Sequence, residues 1–239
     1  MLGDDLGELL GSRIPSDHSR PVLADHYAAR LLDGRAADAS PPRVLDLGCG
    51  AGDSVDLFRS LDPSVVWVGA DVDDSAEVAG RTRSDAEFVT FDGRRLPFED
   101  GGFELVYCKQ VLEHVEHPRD LVAEVARVLR PGGHLAGSTS QLEAFHSRST
   151  FNWTAYGFTR VAEDAGLEVV ELRPVIDGFT LVAWRALGLP RFFHRWWAHE
   201  SPPYRAIELA ARAARLDART RNQIKLVLAG QFAFLARRP

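Results

Sequence analysis

Apolar and polar positions switch period repeatedly along this chain. Residues 43–48, "RVLDLG", form a short apolar run that predicts a strand. Three more runs, "VVWVGADV" at 65–72, "AEFVTFD" at 86–92 and "FELVYCKQ" at 103–110, are rich in the β-branched and aromatic residues that strands favour. "HLAGSTS" at 134–140, "LEVVELRP" at 167–174 and "GQFAFLARR" at 230–238 complete seven predicted strands. Helical spacing falls between them. It is read at 22–32, at 54–62 with Ser54 as its cap, at 74–83, at 118–133 up to a stop at Pro131 and Gly132, and at 154–166. The first twenty residues show neither period. Strands alternating with helices predict right-handed crossovers and a doubly wound, mostly parallel α/β sheet.

Between the last two strands the pattern changes. Residues 176–225 are richer in aromatics and arginine and read as a helical insertion, including an Ala/Arg-rich helix around 206–216. Four parts follow: an N-terminal helical segment, 1–42; an α/β core, 43–175; the insertion, 176–225; and a final core strand, 226–239.

Composition narrows the classes. The 239 residues are 45% hydrophobic and 26% charged, as in an ordinary globular protein. A formal net charge of -6 argues against a general nucleic-acid binder. Cys49 and Cys108 lie in no metal-ligand spacing, so neither a metal site nor a disulfide framework is expected. No apolar run reaches a membrane span, and "MLGDDLGELLGSR" has no leader pattern, so a cytoplasmic protein without a membrane partner is expected.

The chemistry concentrates at predicted strand ends. After the first strand comes Asp46-x-Gly48-x-Gly50-x-Gly52, where ligands of open α/β sheets bind. The spacing differs from the dinucleotide GxGxxG, and an acid inside the strand suits a cationic ligand better than a pyrophosphate. Asp71 ends the second strand, nineteen residues beyond Gly52, at a spacing suited to accepting from both ribose hydroxyls. Asp92 and Gly93 end the third, where an acid can accept from an exocyclic amine. Together these describe a nucleoside with a cationic amino-acid tail.

On these residues the chain resembles the class I S-adenosylmethionine-dependent methyltransferases of the small-molecule, type-11-like kind. "VLDLGCGAG" resembles the family's first motif and "GADVDDS" its second-strand acid region. "LPFEDGGFELVYCKQVLEHV" resembles the approach to and exit from strand four, and "EVARVLRPGGHL" the turn into strand five. The resemblance implies a Rossmann-like seven-stranded sheet whose last strand is antiparallel, with S-adenosyl-L-methionine as cofactor. It implies that Asp46, Gly48, Cys49, Gly50, Asp71, Val72, Asp92, Gly93 and Lys109 hold the cofactor.

The expected reaction is methyl transfer to a small-molecule acceptor, first a hydroxyl of a sugar or specialised metabolite. N- or C-methylation, or a binding module without turnover, are the alternatives. An oxygen nucleophile benefits from a base, and histidine is the suited side chain at neutral pH. His114 after strand four and His146 after strand five are the candidates, with Glu113 and Glu143 behind them. The insertion's Trp184, Phe192, Phe193, Trp196 and Trp197 suit a core, a substrate lid or a homodimer interface.

Overall fold

A computed structural model describes residues 4–33, 35, 40–143 and 147–239. The first element contradicts the reading of an irregular start. Helix α1 (Asp4–Leu10) and a 3-10 turn (Gly11–Arg13) precede a segment that leads to α2 (Ala24–Leu32). Too short to hold by propensity, α1 is fixed by packing: Leu10 and Ile14 are fully buried in the main core. In α2 the apolar spacing has a clear cause, since Ala24, Tyr27, Ala28 and Leu32 all face inward.

The α/β units follow. They are β1 (Arg43–Leu47), α3 (Ser54–Leu61), β2 (Val66–Asp71), α4 (Ala76–Ala79), β3 (Glu87–Thr90), β4 (Phe103–Lys109), α5 (Pro118–Val128) and β5 (Leu129–Ser140). Two expected helix boundaries are corrected. The cap position of α3 is Asp53, and Ser54 instead turns its hydroxyl toward Asp46. Helix α5 ends at Val128, ahead of Pro131. A proline disfavours helical geometry at the residue before it, and Leu129 is already extended and paired with Phe103.

Next come α6 (Ala155–Asp164) and β6 (Glu168–Pro174), then α7 (Gly178–Ala186), a second 3-10 turn (Arg191–His194), α8 (Arg195–Ala198), α9 (Pro202–Ala213), α10 (Ala218–Val227) and β7 (Gln231–Arg237). Thr154, Asp177, Ser201 and Asp217 cap α6, α7, α9 and α10 by accepting from backbone N–H groups.

All seven strands form one sheet in the order β3-β2-β1-β4-β5-β7-β6. The pairings β1–β2, β1–β4, β2–β3 and β4–β5 are parallel, and β7 runs antiparallel to both β5 and β6. Strand order therefore reverses between β1 and β4, which opens a crevice at their carboxyl ends. Successive residues serve opposite faces. Leu45, Val106 and Cys108 join a cluster with Leu121 and Phe158, whereas Val44, Leu105 and Tyr107 join one with Tyr27 and Phe58.

The insertion is stitched to the N-terminal segment by charge. Lys225 of α10 is fully buried. It donates to the Ser19 carbonyl at 2.7 Å, Glu200 at 2.6 Å and Glu208 at 2.9 Å. Buried Arg173 of β6 pairs likewise with Asp17 and Glu171.

Candidate cofactor and acceptor site

The turn after β1 has three glycines at positive φ: Gly48 at 71°, Gly50 at 50° and Gly52 at 85°. That region penalises any residue with a Cβ. Packing adds a second reason at two of them. A Cβ on Gly48 would lie 2.3 Å from Val111 Cγ2, and one on Gly52 would lie 2.8 Å from Phe88 Cζ. At Gly50 the nearest atom is Glu77 Cβ, 3.1 Å away. Side chains are thus excluded at Gly48 and Gly52 by the protein itself, and Gly50 leaves the most open backbone.

Asp71, at the end of β2, binds this turn directly. Its Oδ2 accepts from Gly50 N–H at 2.7 Å, and its Oδ1 from Val72 N–H at 2.8 Å. Each oxygen keeps a second lone pair. Burial raises the Asp71 pKa despite those two bonds. Arg81 closes the other side, donating to the Gly50 carbonyl at 2.9 and 2.6 Å while its guanidinium lies 3.9 Å from the Phe88 ring centroid.

Asp46 is buried, and Ser54 Oγ donates to it while accepting from Trp67 Nε1 at 2.9 Å. Burial pushes the Asp46 carboxyl up to about 7, and the charge of Asp71 adds to the rise, against the opposing bond from Ser54 and charge of Lys109. A buried carboxylate held this high favours a cationic neighbour, so the residues fit a ligand carrying a sulfonium and an ammonium. Cys49, also buried, has its thiol pushed up to about 12 by burial and is unreactive. Asp92 is exposed, and its Oδ1 accepts from Arg94 and Arg95 N–H at 2.9 and 2.7 Å. Those backbone bonds lower its pKa. Beside it Gly93 has φ 77°, and a Cβ there would lie 3.6 Å from Val72 Cγ1, so the ends of β2 and β3 adjoin.

Lys109 links this side to a second space. Its Nζ donates to Asp25 of α2 at 3.2 Å, and Tyr107 OH donates to the same carboxylate. Beyond it lies a cleft of about 230 Å³, floored by Gln110, Ser138, Glu143 and Gln231 and walled by Leu23, Val175, Trp184, Arg185 and Trp197. An outer extension of about 360 Å³ is lined by Leu23, Lys109, Trp184, His194 and Trp197. Gln110, a non-glycine residue at φ 58°, stands at the junction, its N–H on the Ser138 carbonyl at 2.8 Å. Buried Glu143 accepts from Arg185 at 2.7 Å, Ser140 at 2.9 Å and Gln231 at 3.0 Å.

The structure thus gathers Asp46, Gly48, Cys49, Gly50, Asp71 and Val72 around one turn and brings Asp92 and Gly93 beside Val72. Lys109 stands where that turn meets the cleft. His114 is half-buried on the turn after β4, donates its N–H to the Val111 carbonyl, and does not line the cleft. His146 lies outside the described residues. Glu113 is fully buried and accepts from Thr139 and Ser140 hydroxyls at 2.9 and 3.0 Å. Asp25, Ser138, Arg185 and Gln231 were not singled out by the sequence. Only Ser138 and Gln231, at the ends of predicted strands, carried any signal.

Residues 45–137 match a family model described as "Methyltransferase domain". Residues 45–137 thus carry a methyltransferase domain, similar to those of the class I S-adenosylmethionine-dependent enzymes. The cofactor of that methyltransferase domain is S-adenosylmethionine. Among curated relatives, the ubiquinone/menaquinone biosynthesis C-methyltransferase UbiE of Ectopseudomonas mendocina is 38% identical over 101 residues, 39% of this chain and 40% of that protein. The ubiquinone biosynthesis O-methyltransferase of Xanthomonas oryzae is 33% identical over 135 residues, 54% of this chain and 53% of that protein. The chain thus spans about half or less of the curated relatives it matches. A solved structure of phosphoethanolamine N-methyltransferase 2 from Haemonchus contortus, in complex with S-adenosyl-L-methionine, superposes with a TM-score of 0.56 at 15% identity. That match covers 90% of this chain and 52% of the other, and it shows a shared fold.

Proposed function

We propose that this methyltransferase domain moves a methyl group to an oxygen of a small polar acceptor, a hydroxyl of a sugar or specialised metabolite, held in the cleft between β4, β5 and the insertion. The carrying observation is how the cleft's charges are arranged. Lys109 is paired with Asp25 and Arg185 with Glu143, and among the described residues the remaining polar lining is neutral: Gln110, Ser138 and Gln231. A charged acceptor would compete with pairs already made, whereas an uncharged polyol finds donors and acceptors ready. Trp184 and Trp197 add flat apolar walls.

On this reading Gly48, Cys49 and Gly50 hold the cofactor by their backbone. Asp71 accepts from the ribose hydroxyls, Asp92 from the adenine amine, and Val72 and Gly93 flank the base. Asp46 and Lys109 attend the charged methionine end. When bound, S-adenosylmethionine supplies an electrophilic methyl on a sulfonium sulfur. The protein's own part is to hold the acceptor oxygen close and in line, exclude water, and take its proton. His146, which follows β5 in the sequence, is the proposed base; His114, the other candidate, does not line the cleft. The helices between β6 and β7 act as a lid, supported by the cleft walls that α7 and α8 contribute.

A relative named as a C-methyltransferase keeps carbon as the second acceptor atom. Isotope-labelled S-adenosylmethionine incubated with a panel of glycosides and phenols tests the proposal. An O-methyl signal in the product's NMR spectrum is expected. Label on carbon or nitrogen, or cofactor bound without transfer to any acceptor, would overturn it.

A further inference from the structure

Helix α7 is apolar on both sides. Gly178, Thr180 and Leu181 face inward, and Trp184 walls the cleft. On the outer side Phe179, Val182 and Ala186 follow helical spacing, and Phe179 and Val182 are 65% and 51% exposed. Leu187, Leu189 and Phe192, which follow in the sequence, are 65%, 47% and 58% exposed. A helix apolar all round is ordinarily covered all round, and clustered apolar exposure marks an interaction surface.

Charge indicates what covers it. Residues 178–199 contain Arg185, Arg191 and Arg195 and no Asp or Glu, in a chain whose formal net charge is -6. Arg185 turns inward to Glu143. Arg191 and Arg195 are exposed beside Phe192, and Arg195 lies 4.9 Å from the Trp196 ring centroid. An apolar face with aromatics and arginines and without acids matches a surface carrying negative charge over an apolar interior. Two-fold pairing with a second copy would instead bring Arg191 and Arg195 toward their equivalents, with no acid in 178–199 to offset them.

We propose that the outer face of α7 and the turn after it dock on the surface of an anionic lipid bilayer. No described helix is long and apolar enough to cross a membrane; this surface lies on one.

Flotation of the full chain with vesicles tests this, comparing phosphatidylcholine alone with phosphatidylcholine containing phosphatidylglycerol. Binding is expected only to the anionic vesicles, with at least a tenfold loss at high salt. The pairs Phe179→Ser with Phe192→Ser, and Arg191→Glu with Arg195→Glu, are each expected to lose at least tenfold in vesicle binding. Calorimetry with S-adenosylhomocysteine, unchanged in both pairs, verifies the fold. Three results would overturn the proposal: no binding to anionic vesicles, equal binding by the folded variants, or a parent dimer in light scattering that the variants convert to monomer without any vesicle binding.

Discussion

Arg185, on the first helix of the insertion, donates to the buried carboxylate of Glu143 just past the end of β5. This contact joins the insertion to the sheet at the cleft floor. Removing one partner of a buried pair leaves a charge poorly compensated, which destabilises by about 3–5 kcal/mol. Ser140 and Gln231 still donate to Glu143, so Arg185→Met is expected at the low end, about 3 kcal/mol by urea denaturation. Acceptor KM rises and cofactor affinity, read by calorimetry, stays close to that of the parent. Adding Glu143→Gln is expected to recover part of the lost stability.

Asp46 gives a pH signature. Its folded pKa of about 7 lies above the ordinary 3.8, so between these values the folded state keeps a proton that the unfolded chain has released. Its contribution to stability is full below about pH 4 and is lost as pH rises through about 7. Asp46→Asn is therefore expected to be more stable than the parent above pH 7, by at most about 4 kcal/mol, with the gap closing below pH 4. Thermal unfolding across pH 4–8 checks this. Cofactor binding runs the other way: affinity for S-adenosylmethionine is expected to rise toward pH 7, and that for uncharged-sulfur S-adenosylhomocysteine to change less.

Asp71 both shapes the glycine turn and faces the proposed ribose site. Replacing it with alanine removes a charged acceptor worth roughly 1.5–3 kcal/mol. Cofactor affinity is expected to fall about ten- to a hundredfold by calorimetry. Asp71→Asn, which keeps one acceptor for Gly50 N–H, is expected to lose less.

The Gly48 turn can be tested without any ligand. Gly48→Ala meets both the penalty of positive φ, about 1–2 kcal/mol, and the approach to Val111. A loss of about 2 kcal/mol or more is expected from the urea midpoint. Shortening Val111 to alanine in the same chain relieves only the contact, so the double variant is expected to recover part of the loss.

The sheet was legible because its strands alternate with amphipathic helices and its glycines sit where strands end. Local pattern could not reveal α1, which is held by the burial of Leu10 and Ile14 against distant elements. It misplaced Ser54 as a cap because the same hydroxyl finds Asp46 across the turn. The glycine turn and the acids at the ends of β2 and β3 were readable because they lie in compact motifs. The cleft was less so: Arg185 meets Glu143 from 42 positions away, and Gln231 meets it from 88. Pairs so separated leave no periodic trace in one sequence.

The bond from Lys225 to the Ser19 carbonyl spans 206 positions. During synthesis the early segment emerges long before its partner, and chains grow at about 5–20 residues per second. For some ten seconds or more Ser19 has no lysine to bind, while the β1–β5 half of the sheet already has its sequence in hand. The cleft also needs Trp184, Trp197 and Gln231, which are made after the β1–β5 half. A nascent chain can thus form the glycine turn after β1 well before the proposed acceptor cleft is closed.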